Sequence, residues 1–213
     1  MPRLGFKRGV YAVTDERLVP RGRFFETVEG VLREGVDVLQ LRDKTSARAV
    51  RLETAKRLAA LCRSHETLFI VNDDPSLALE VGAGGVHIGR EDGSLEEARR
   101  VLGPAAVIGA SCSGDVRRAV ELAAGGADYV SFGRFFPSRT KPGAPGCPIE
   151  VLGQAKEAIR VPIVAIGGIN AGNARELFEA GADAVCAAGG IFGERDVRAA
   201  VRAIRRLRTR YCP

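Results

Sequence analysis

Eight short apolar runs alternate with longer helical segments along this chain of 213 residues. Each run is continuously apolar, which is typical of strands that are covered on both faces. Eight βα units in a chain of this length predict an α/β protein, a single (β/α)8 TIM barrel that spans residues 1–213 as one domain. The predicted strands are 9–14, 36–41, 68–72, 85–88, 107–111, 129–132, 161–166 and 184–187. An open doubly wound sheet is the alternative, but it usually has fewer strands at this length, and the common Gly-rich nucleotide loops are absent.

The helical segments carry their own boundary signals. Helices are expected at 24–34 and 46–64, and Ser94 with Glu97 forms a capping box at the start of another. Three segments share one pattern, in which a helix ends, a glycine follows and a new strand begins. These segments are 34–37, 125–128 and 179–183. The recurrence of one junction indicates a repeated βα unit.

Composition narrows the class of protein. The net charge is +6 and the pI about 9.4, but the densest basic cluster, 198–210, has an apolar stripe on one side, which favours a solvated amphipathic helix. No aromatic stacking motif accompanies the arginines, so a nucleic-acid partner is not expected. The five cysteines form no C-x-x-C pair, which predicts reduced thiols. No apolar run could span a membrane and no signal peptide is recognisable, so we expect a cytoplasmic protein without a membrane partner.

Polar side chains lie where the predicted strands end, and in such barrels these ends form the active site. Asp73 follows the third strand and Asp92 the fourth, beside the basic Arg42 and Lys44 of the second. Two acids at matching ends of neighbouring strands favour a hard cation such as magnesium. The alternative is that each acid caps the helix that follows it.

Glycines after the seventh and eighth strands indicate a phosphate site. Backbone amides can approach a ligand closely at Gly168 and Gly189, each of which precedes a helix. Ser138 and Thr140 could add hydroxyl donors, and Lys141 could add charge. The loop 136–148, rich in Pro and Gly, is predicted to be a lid.

Two further side chains, those of His87 and Cys112, could in principle take part in catalysis. His87 has no partner ligands in its vicinity in the sequence, and we interpret it as a packed histidine or as one that supports a residue in contact with substrate. Cys112 follows Ser111 without a histidine that could activate it, and we do not propose it as a nucleophile.

The ordered set of these motifs resembles the thiamine-phosphate synthase family, also called thiamine-phosphate pyrophosphorylase. The resemblance covers nearly the whole chain. Its motifs are QLRDK at 40–44, VNDD at 71–74, GVHIGREDG at 85–93, FGRFFPSRTKPGAP at 132–145 and AIGGI at 165–169. The resemblance implies condensation of hydroxymethylpyrimidine diphosphate with hydroxyethylthiazole phosphate, which gives thiamine monophosphate and pyrophosphate.

The resemblance also implies a role for individual residues, with small molecules as the partners. Asp73 and Asp92 would hold one Mg2+ ion per subunit. The catalytic residues would be Arg42, Lys44, Ser111 and Lys141. The pyrimidine diphosphate would be bound by Gln40, Leu41, Arg42, Asp43, Lys44, Asn72, Ser111 and Lys141. The thiazole phosphate would be bound by Ser138, Arg139, Thr140, Gly168, Ala188 and Gly189.

The chain departs from the family pattern at a few positions. Arg90 stands where glutamine is frequent, and Ser138 where threonine is common. The segment 187–189 replaces a more usual Val-Val-Ser, which removes a hydroxyl beside the implied thiazole phosphate and leaves the contact to backbone amides.

Other functions remain open to the sequence. A related thiazole tautomerase shares the barrel but has no metal or diphosphate chemistry, and Asn72, Asp73, Asp92 and Lys141 argue against it. A barrel that only carries thiamine phosphate is a second alternative, and an isomerase with an acid–base pair across the rim is a third. The sequence sets neither the oligomeric state, which could be a homo-oligomer, nor the choice of magnesium over manganese.

Overall fold

The computed structural model describes Phe6, residues 9–137 and residues 146–211. Within these residues, eight parallel strands close into a barrel in chain order, with β1 paired to both β2 and β8. The predicted TIM barrel is confirmed, and closure excludes the open sheet. The strands are β1 Val10–Val13, β2 Val38–Leu41, β3 Leu68–Asn72, β4 Gly85–Ile88, β5 Val107–Ser113, β6 Tyr129–Phe132, β7 Ile163–Ile166 and β8 Ala184–Ala187.

Helices cover the outside of the barrel. A short 3-10 turn, Arg21–Arg23, precedes the first of them. The helices are α1 Phe24–Arg33, α2 Arg48–Ser64, α3 Pro75–Val81, α4 Leu95–Leu102, α5 Val116–Ala124, α6 Val151–Ala158, α7 Ala174–Glu179, α8 Gly189–Phe192 and α9 Val197–Tyr211. Ser94 accepts a hydrogen bond from the Glu97 amide at 3.1 Å, which confirms the predicted cap of α4.

Element boundaries differ from the predictions where a local group intervenes. Strand β7 begins at Ile163 because Pro162 has no N–H to donate to a neighbouring strand. Helix α2 begins two residues later than predicted, since Asp43 accepts the Ser46 amide at 2.9 Å and holds that residue in a turn.

Buried side chains form separate layers inside and outside the barrel. Strand residues alternate between these layers with a period of two. The interior is filled by apolar and aromatic side chains that include Tyr11, Val38, Ile70, Tyr129 and Val164. This packing fills the barrel below the carboxyl ends of the strands.

The three repeated junctions share one hydrogen-bonding device. Each ends in an aspartate whose Oδ2 accepts the N–H of the first or second residue of the preceding strand. The aspartate's own N–H donates to the carbonyl of the same residue. The pairs are Asp37 with Val10, Asp128 with Ile108 and Asp183 with Ile163, and the carboxylate bonds measure 2.9, 2.8 and 2.9 Å. The glycines before them, Gly35, Gly126 and Gly181, have positive φ angles of 81°, 92° and 110°. In each repeat the glycine therefore allows the chain to turn, and the aspartate then attaches the end of the helix to the barrel by hydrogen bonds.

Helix α9 packs one face on the barrel and leaves the other in solvent, as predicted. Val201 and Ile204 are fully buried. Arg198 and Arg202 both pair with Glu34 of the first junction, at 2.6 and 3.0 Å. In the described part of the chain, none of the helices has the length and apolar character that a bilayer crossing requires.

Candidate active site

A cavity of about 1010 Å³ opens where the strands end. It is bordered by charged side chains after β2, β3 and β4 and by glycine-rich loops after β7 and β8. Most of the residues that the sequence implicated line this cavity together: Gln40, Arg42, Lys44, Asn72, Asp73, Asp92, Ser111, Gly168, Ala188 and Gly189.

Leu41 and Asp43 lie elsewhere. The alternation of β2 directs Leu41 away from the barrel interior, and both residues border a second, smaller cavity of about 380 Å³. Asp43 accepts the amides of Thr45 at 3.1 Å and Ser46 at 2.9 Å. Partial burial alone would raise the pKa of this carboxyl, but the hydrogen bonds from Ser46 and Thr45 outweigh it and the pKa is lowered. Asp43 thus shapes the loop that carries Lys44.

Ser138, Arg139, Thr140 and Lys141 lie outside the described residues, as does most of the predicted lid. Pro137, which precedes them, lines the cavity. The backbone here is held by a hydrogen bond of 3.0 Å from the Phe136 amide to the Gly167 carbonyl.

Asp73 and Asp92 converge on one cation, the ammonium of Lys44. The Lys44 Nζ atom lies 3.1 Å from Asp73 Oδ2 and 3.6 Å from Asp92 Oδ1. Asp73 also accepts the Gly89 amide at 3.0 Å and a short hydrogen bond from the Asn72 side-chain amide. The side chain of Asp73 is 18% exposed and that of Asp92 37%, so both remain open to the cavity.

Neither of these two acids caps a helix. The cap of α3 is Asp74, whose Oδ1 accepts the Leu77 amide at 2.8 Å, and the cap of α4 is Ser94. Asp73 takes a left-handed backbone conformation, with φ of 60°. The capping alternative is therefore wrong for both Asp73 and Asp92, and each is free for another role.

The two carboxylates fit a magnesium ion whose remaining ligands would come from a substrate and from water. Two carboxylates already lie within reach of one cation, and they are hard oxygen ligands. Among the described residues, no group of three or more His, Cys, Asp or Glu side chains could form a closed metal site. Magnesium usually takes one or two carboxylates and completes its shell with phosphate oxygens and water, which this open pair allows.

Glycines shape the opposite side of the cavity. At Gly168, with φ of +66°, a Cβ atom would lie 2.7 Å from the Phe136 carbonyl oxygen, so a side chain would push the loops after β6 and β7 apart. At Gly189 an added Cβ would meet nothing within 4 Å. Helix α8 begins at Gly189 beside Ala188, and its first amides have no acceptor within the helix. This side can offer backbone N–H groups to an anion.

A buried polar network forms the floor of the cavity. Gln40 Nε2 lies 2.7 Å from Tyr11 Oη, which is 2.9 Å from Tyr129 Oη. His87 Nδ1 is 2.9 Å from Tyr129 Oη, and its Nε2 is 3.0 Å from Ser111 Oγ. His87 is thus packed and supports Ser111, as interpreted from the sequence.

Sequence reasoning missed the two tyrosines. Both occur in apolar runs that were assigned only to strands. The available signal was the period of two, because Tyr11 and Tyr129 occupy inward-facing positions in strands whose neighbours place Gln40 and Ser111 inward as well.

The described cysteines are free and buried, as expected for reduced thiols. Burial raises the pKa of the Cys112 thiol to about 12. At neutral pH this thiol is protonated, which agrees with leaving Cys112 out of the chemistry.

Comparison with known proteins assigns the family. The model of the thiamine monophosphate synthase family matches residues 10–191. A thiamine-phosphate synthase of Marinobacter nauticus is 46% identical over 207 residues, 96% of this chain and 93% of that protein. The chain belongs to the thiamine-phosphate synthase family. It is accordingly an enzyme, a transferase of thiamine biosynthesis.

Two further comparisons support the assignment to this family. The thiamine-phosphate synthase of Halorhodospira halophila is 49% identical over 194 residues, which are 91% of each protein. The solved thiamine phosphate pyrophosphorylase of Pyrococcus furiosus is 35% identical, with a TM-score of 0.89 and 98% of both chains covered. Sequence and fold thus agree over almost the full length.

Proposed function

We propose that this family member condenses hydroxymethylpyrimidine diphosphate with hydroxyethylthiazole phosphate, and that magnesium assists the departure of pyrophosphate. One observation carries the proposal: a single cavity joins a pair of acids that converge on one cation, with basic side chains beside them, to the glycine-rich loops after β7 and β8. Such a cavity suits two phosphorylated molecules held side by side. The volume of about 1010 Å³ is at the upper end of small-molecule sites, as two substrates require.

The diphosphate would lie on the side of β2, β3 and β4. Arg42 and Lys44 line the cavity there, and the Arg42 amide donates to Thr14 Oγ1 at 3.1 Å, which fixes the backbone that carries the guanidinium. Magnesium held by Asp73 and Asp92 would supply a Lewis acid for the oxygens of the leaving group. Arg42, Lys44 and the predicted Lys141 would stabilise the charge that develops on pyrophosphate.

The proposed bond changes need no proton acceptor. The bond between the pyrimidinylmethyl carbon and the diphosphate oxygen breaks, and its electron pair leaves with pyrophosphate. The lone pair of the thiazole nitrogen then forms the new C–N bond, and this nitrogen carries no proton that must be removed. The cavity floor agrees with this chemistry, since His87 is already engaged with Tyr129 and Ser111.

The amides near Gly168 and Gly189 would hold the thiazole phosphate, together with Ser138, Arg139 and Thr140. Fixing both reactants in one cavity converts a bimolecular step into an effectively unimolecular one. Positioning of this kind can supply up to about 7–11 kcal/mol of the barrier reduction.

Release of pyrophosphate by the purified protein tests the proposal. We expect release only when both heterocycles and magnesium are present, and none without thiazole phosphate. If thiazole phosphate binds but no pyrophosphate appears under any condition, the protein is a tautomerase or a binder. Replacing magnesium with manganese in the same assay measures whether manganese also supports the reaction.

Gly89→Ala is expected to weaken the metal site without touching an acid. An added Cβ at Gly89 would overlap Asp92 Oδ2 and approach Asp73 Oδ1 to 3.3 Å, so Asp92 must turn away. We expect about a tenfold higher magnesium concentration for half-maximal rate, in line with other changes around metal ligands. An unchanged magnesium requirement would argue against Asp92 as a ligand. Gly153→Ala, in α6, where an added Cβ meets nothing within 4 Å, controls for an added methyl away from the cavity.

Gly189→Ser is expected to strengthen binding of the thiazole phosphate. The site has room for the side chain, and the new hydroxyl restores the donor that the family pattern has at this position. One added hydrogen bond to a charged group predicts a KM for thiazole phosphate that is lower by about tenfold, with the KM for the pyrimidine unchanged. A Gly189→Ala variant separates the hydroxyl from the methylene, and equal KM values in both variants would contradict the prediction.

A further inference from the structure

The tyrosines beneath the cavity belong to an ordered chain of hydrogen bonds that begins at Gln40. The amide nitrogen of Gln40 can only donate, so Tyr11 Oη, at 2.7 Å, must accept. The proton of Tyr11 is then free for Tyr129 Oη at 2.9 Å. Since Tyr129 Oη accepts from Tyr11, its own proton is available to His87 Nδ1, also at 2.9 Å.

The order of donors continues through His87 to Ser111. With Nδ1 accepting from Tyr129, the neutral imidazole carries its proton on Nε2 and donates it to Ser111 Oγ at 3.0 Å. Ser131 Oγ, at 3.4 Å from both His87 Nε2 and Ser111 Oγ, donates to the same Ser111 oxygen. The hydroxyl proton of Ser111 is therefore directed away from this network, toward the cavity that Ser111 lines.

This series of hydrogen bonds is shielded from water. Tyr11 is 1% exposed, Tyr129 is 0% exposed and His87 is 8% exposed. Phe6 stacks on the Tyr129 ring with centroids 4.4 Å apart and covers it. Burial raises the pKa of both phenols, so both remain protonated donors. In such an environment an unpaired hydroxyl is costly. Reversing one hydrogen bond would leave a neighbouring group unpaired, so all the donors keep one common direction.

The two ends of this series of hydrogen bonds offer a ligand different groups, an acceptor at Gln40 and a donor at Ser111. Gln40 donates one N–H of its amide to Tyr11 below, which sets the orientation of the amide and makes its Oε1 available as an acceptor in the cavity that Gln40 lines. Ser111 offers a donor. These residues lie on β2 and β5, three strands apart in the closed order, and so on facing sides of the barrel.

We infer that Tyr11 and Tyr129 are positioning residues that fix Gln40 as an acceptor and Ser111 as a donor, and thereby select a heterocycle that donates from one edge and accepts at the opposite edge. An aminopyrimidine has this pattern, with an exocyclic amino group across the ring from a nitrogen. The corresponding oxo compound places an acceptor where the amino donor was and faces the Gln40 oxygen. The inference rests on the proposed function for the identity of the substrate.

Binding and turnover of two pyrimidine diphosphates test the inference. Their affinities and kcat/KM values are measured for the 4-amino compound and its 4-oxo analogue, with the wild type, Tyr11→Phe, Tyr129→Phe and the double variant. We expect the wild type to prefer the amino compound by at least ~100-fold, since a site built for a hydrogen bond rejects a ligand that cannot form it. In each single variant the side-chain amide of Gln40 is free to rotate by 180°. We therefore expect the preference for the amino compound to fall by roughly tenfold.

The double variant distinguishes a shared chain from two separate packing effects. Loss of either hydroxyl interrupts the same series of hydrogen bonds. We therefore expect the double variant to match the single variants rather than show the product of their effects. An unchanged preference in both single variants, with only a lower melting temperature, would reduce the tyrosines to structural roles. Multiplied effects in the double variant would also overturn the inference.

The state of His87 gives a readout in the unmodified protein. The chain has two histidines, His65 and His87, so His65→Gln assigns the imidazole nitrogen resonances of His87. We expect the proton on Nε2, and a proton on Nδ1 would overturn the ordered chain directly. A wild type that binds neither pyrimidine overturns the proposed function together with the selectivity. Turnover of the amino compound with an unchanged preference in the phenylalanine variants overturns only the role of the tyrosines.

Discussion

Replacing both Asp73 and Asp92 with alanine is expected to lower pyrophosphate release by ~10³-fold or more. The two carboxylates converge on one position, within 3.1 and 3.6 Å of the Lys44 ammonium, and they are the residues proposed to hold magnesium there. Without them the diphosphate would depart with only basic side chains to neutralise its charge. A steady-state assay of pyrophosphate release with both substrates, over a range of magnesium concentrations, measures the loss.

Asp74→Ala is the matched control for this variant. Asp74 is the next acid along the chain, but it caps α3 through the Leu77 amide and lies 3.7 Å from Arg51. Its removal should cost about 1 kcal/mol of stability and leave the magnesium dependence as in the wild type. If Asp74→Ala loses as much activity as the double variant, charge in the loop rather than metal binding explains both results.

Asp183→Ala is expected to destabilise the fold by about 3 kcal/mol. The Asp183 side chain is 4% exposed, accepts the Ile163 amide at 2.9 Å and pairs with Lys156 at 2.6 Å. Alanine would leave the Ile163 N–H at the start of β7 without its side-chain acceptor and the Lys156 ammonium without this carboxylate. Urea unfolding followed by circular dichroism measures the change as a lower midpoint.

Glu179→Ala provides the comparison, since it removes an acid from the helix that leads into the same junction. Glu179 forms an ion pair with Arg175 at 2.8 Å, and both side chains are largely exposed. Its loss should change the free energy of unfolding by no more than about 0.5 kcal/mol. Equal effects of the two substitutions would mean that the junction aspartate does not tie the helix end to β7.

The sequence by itself determined the barrel, because the pattern that specifies each βα unit is local. A continuous apolar run, a capped helix and a glycine before an aspartate recur at short range, and each can be read without knowing the partner strands. Repetition supplied the count of units, and the order of the strands in a closed parallel barrel then follows from chain order. The same logic brought Arg42, Asn72, Asp73 and Asp92 to one rim, since the ends of parallel strands lie at one end of the barrel.

Only the tertiary structure decided which neighbouring polar residues face the cavity. Asp73 and Asp74 are adjacent aspartates that the sequence alone does not distinguish. Asp73 has a left-handed backbone conformation and pairs with Lys44, whereas Asp74 caps a helix. Asp43 is likewise engaged with its own loop. The contact between Tyr11 and Tyr129 joins residues 118 positions apart. Such choices depend on backbone angles and on long-range contacts that exist only once the barrel has closed, and no local pattern encodes them.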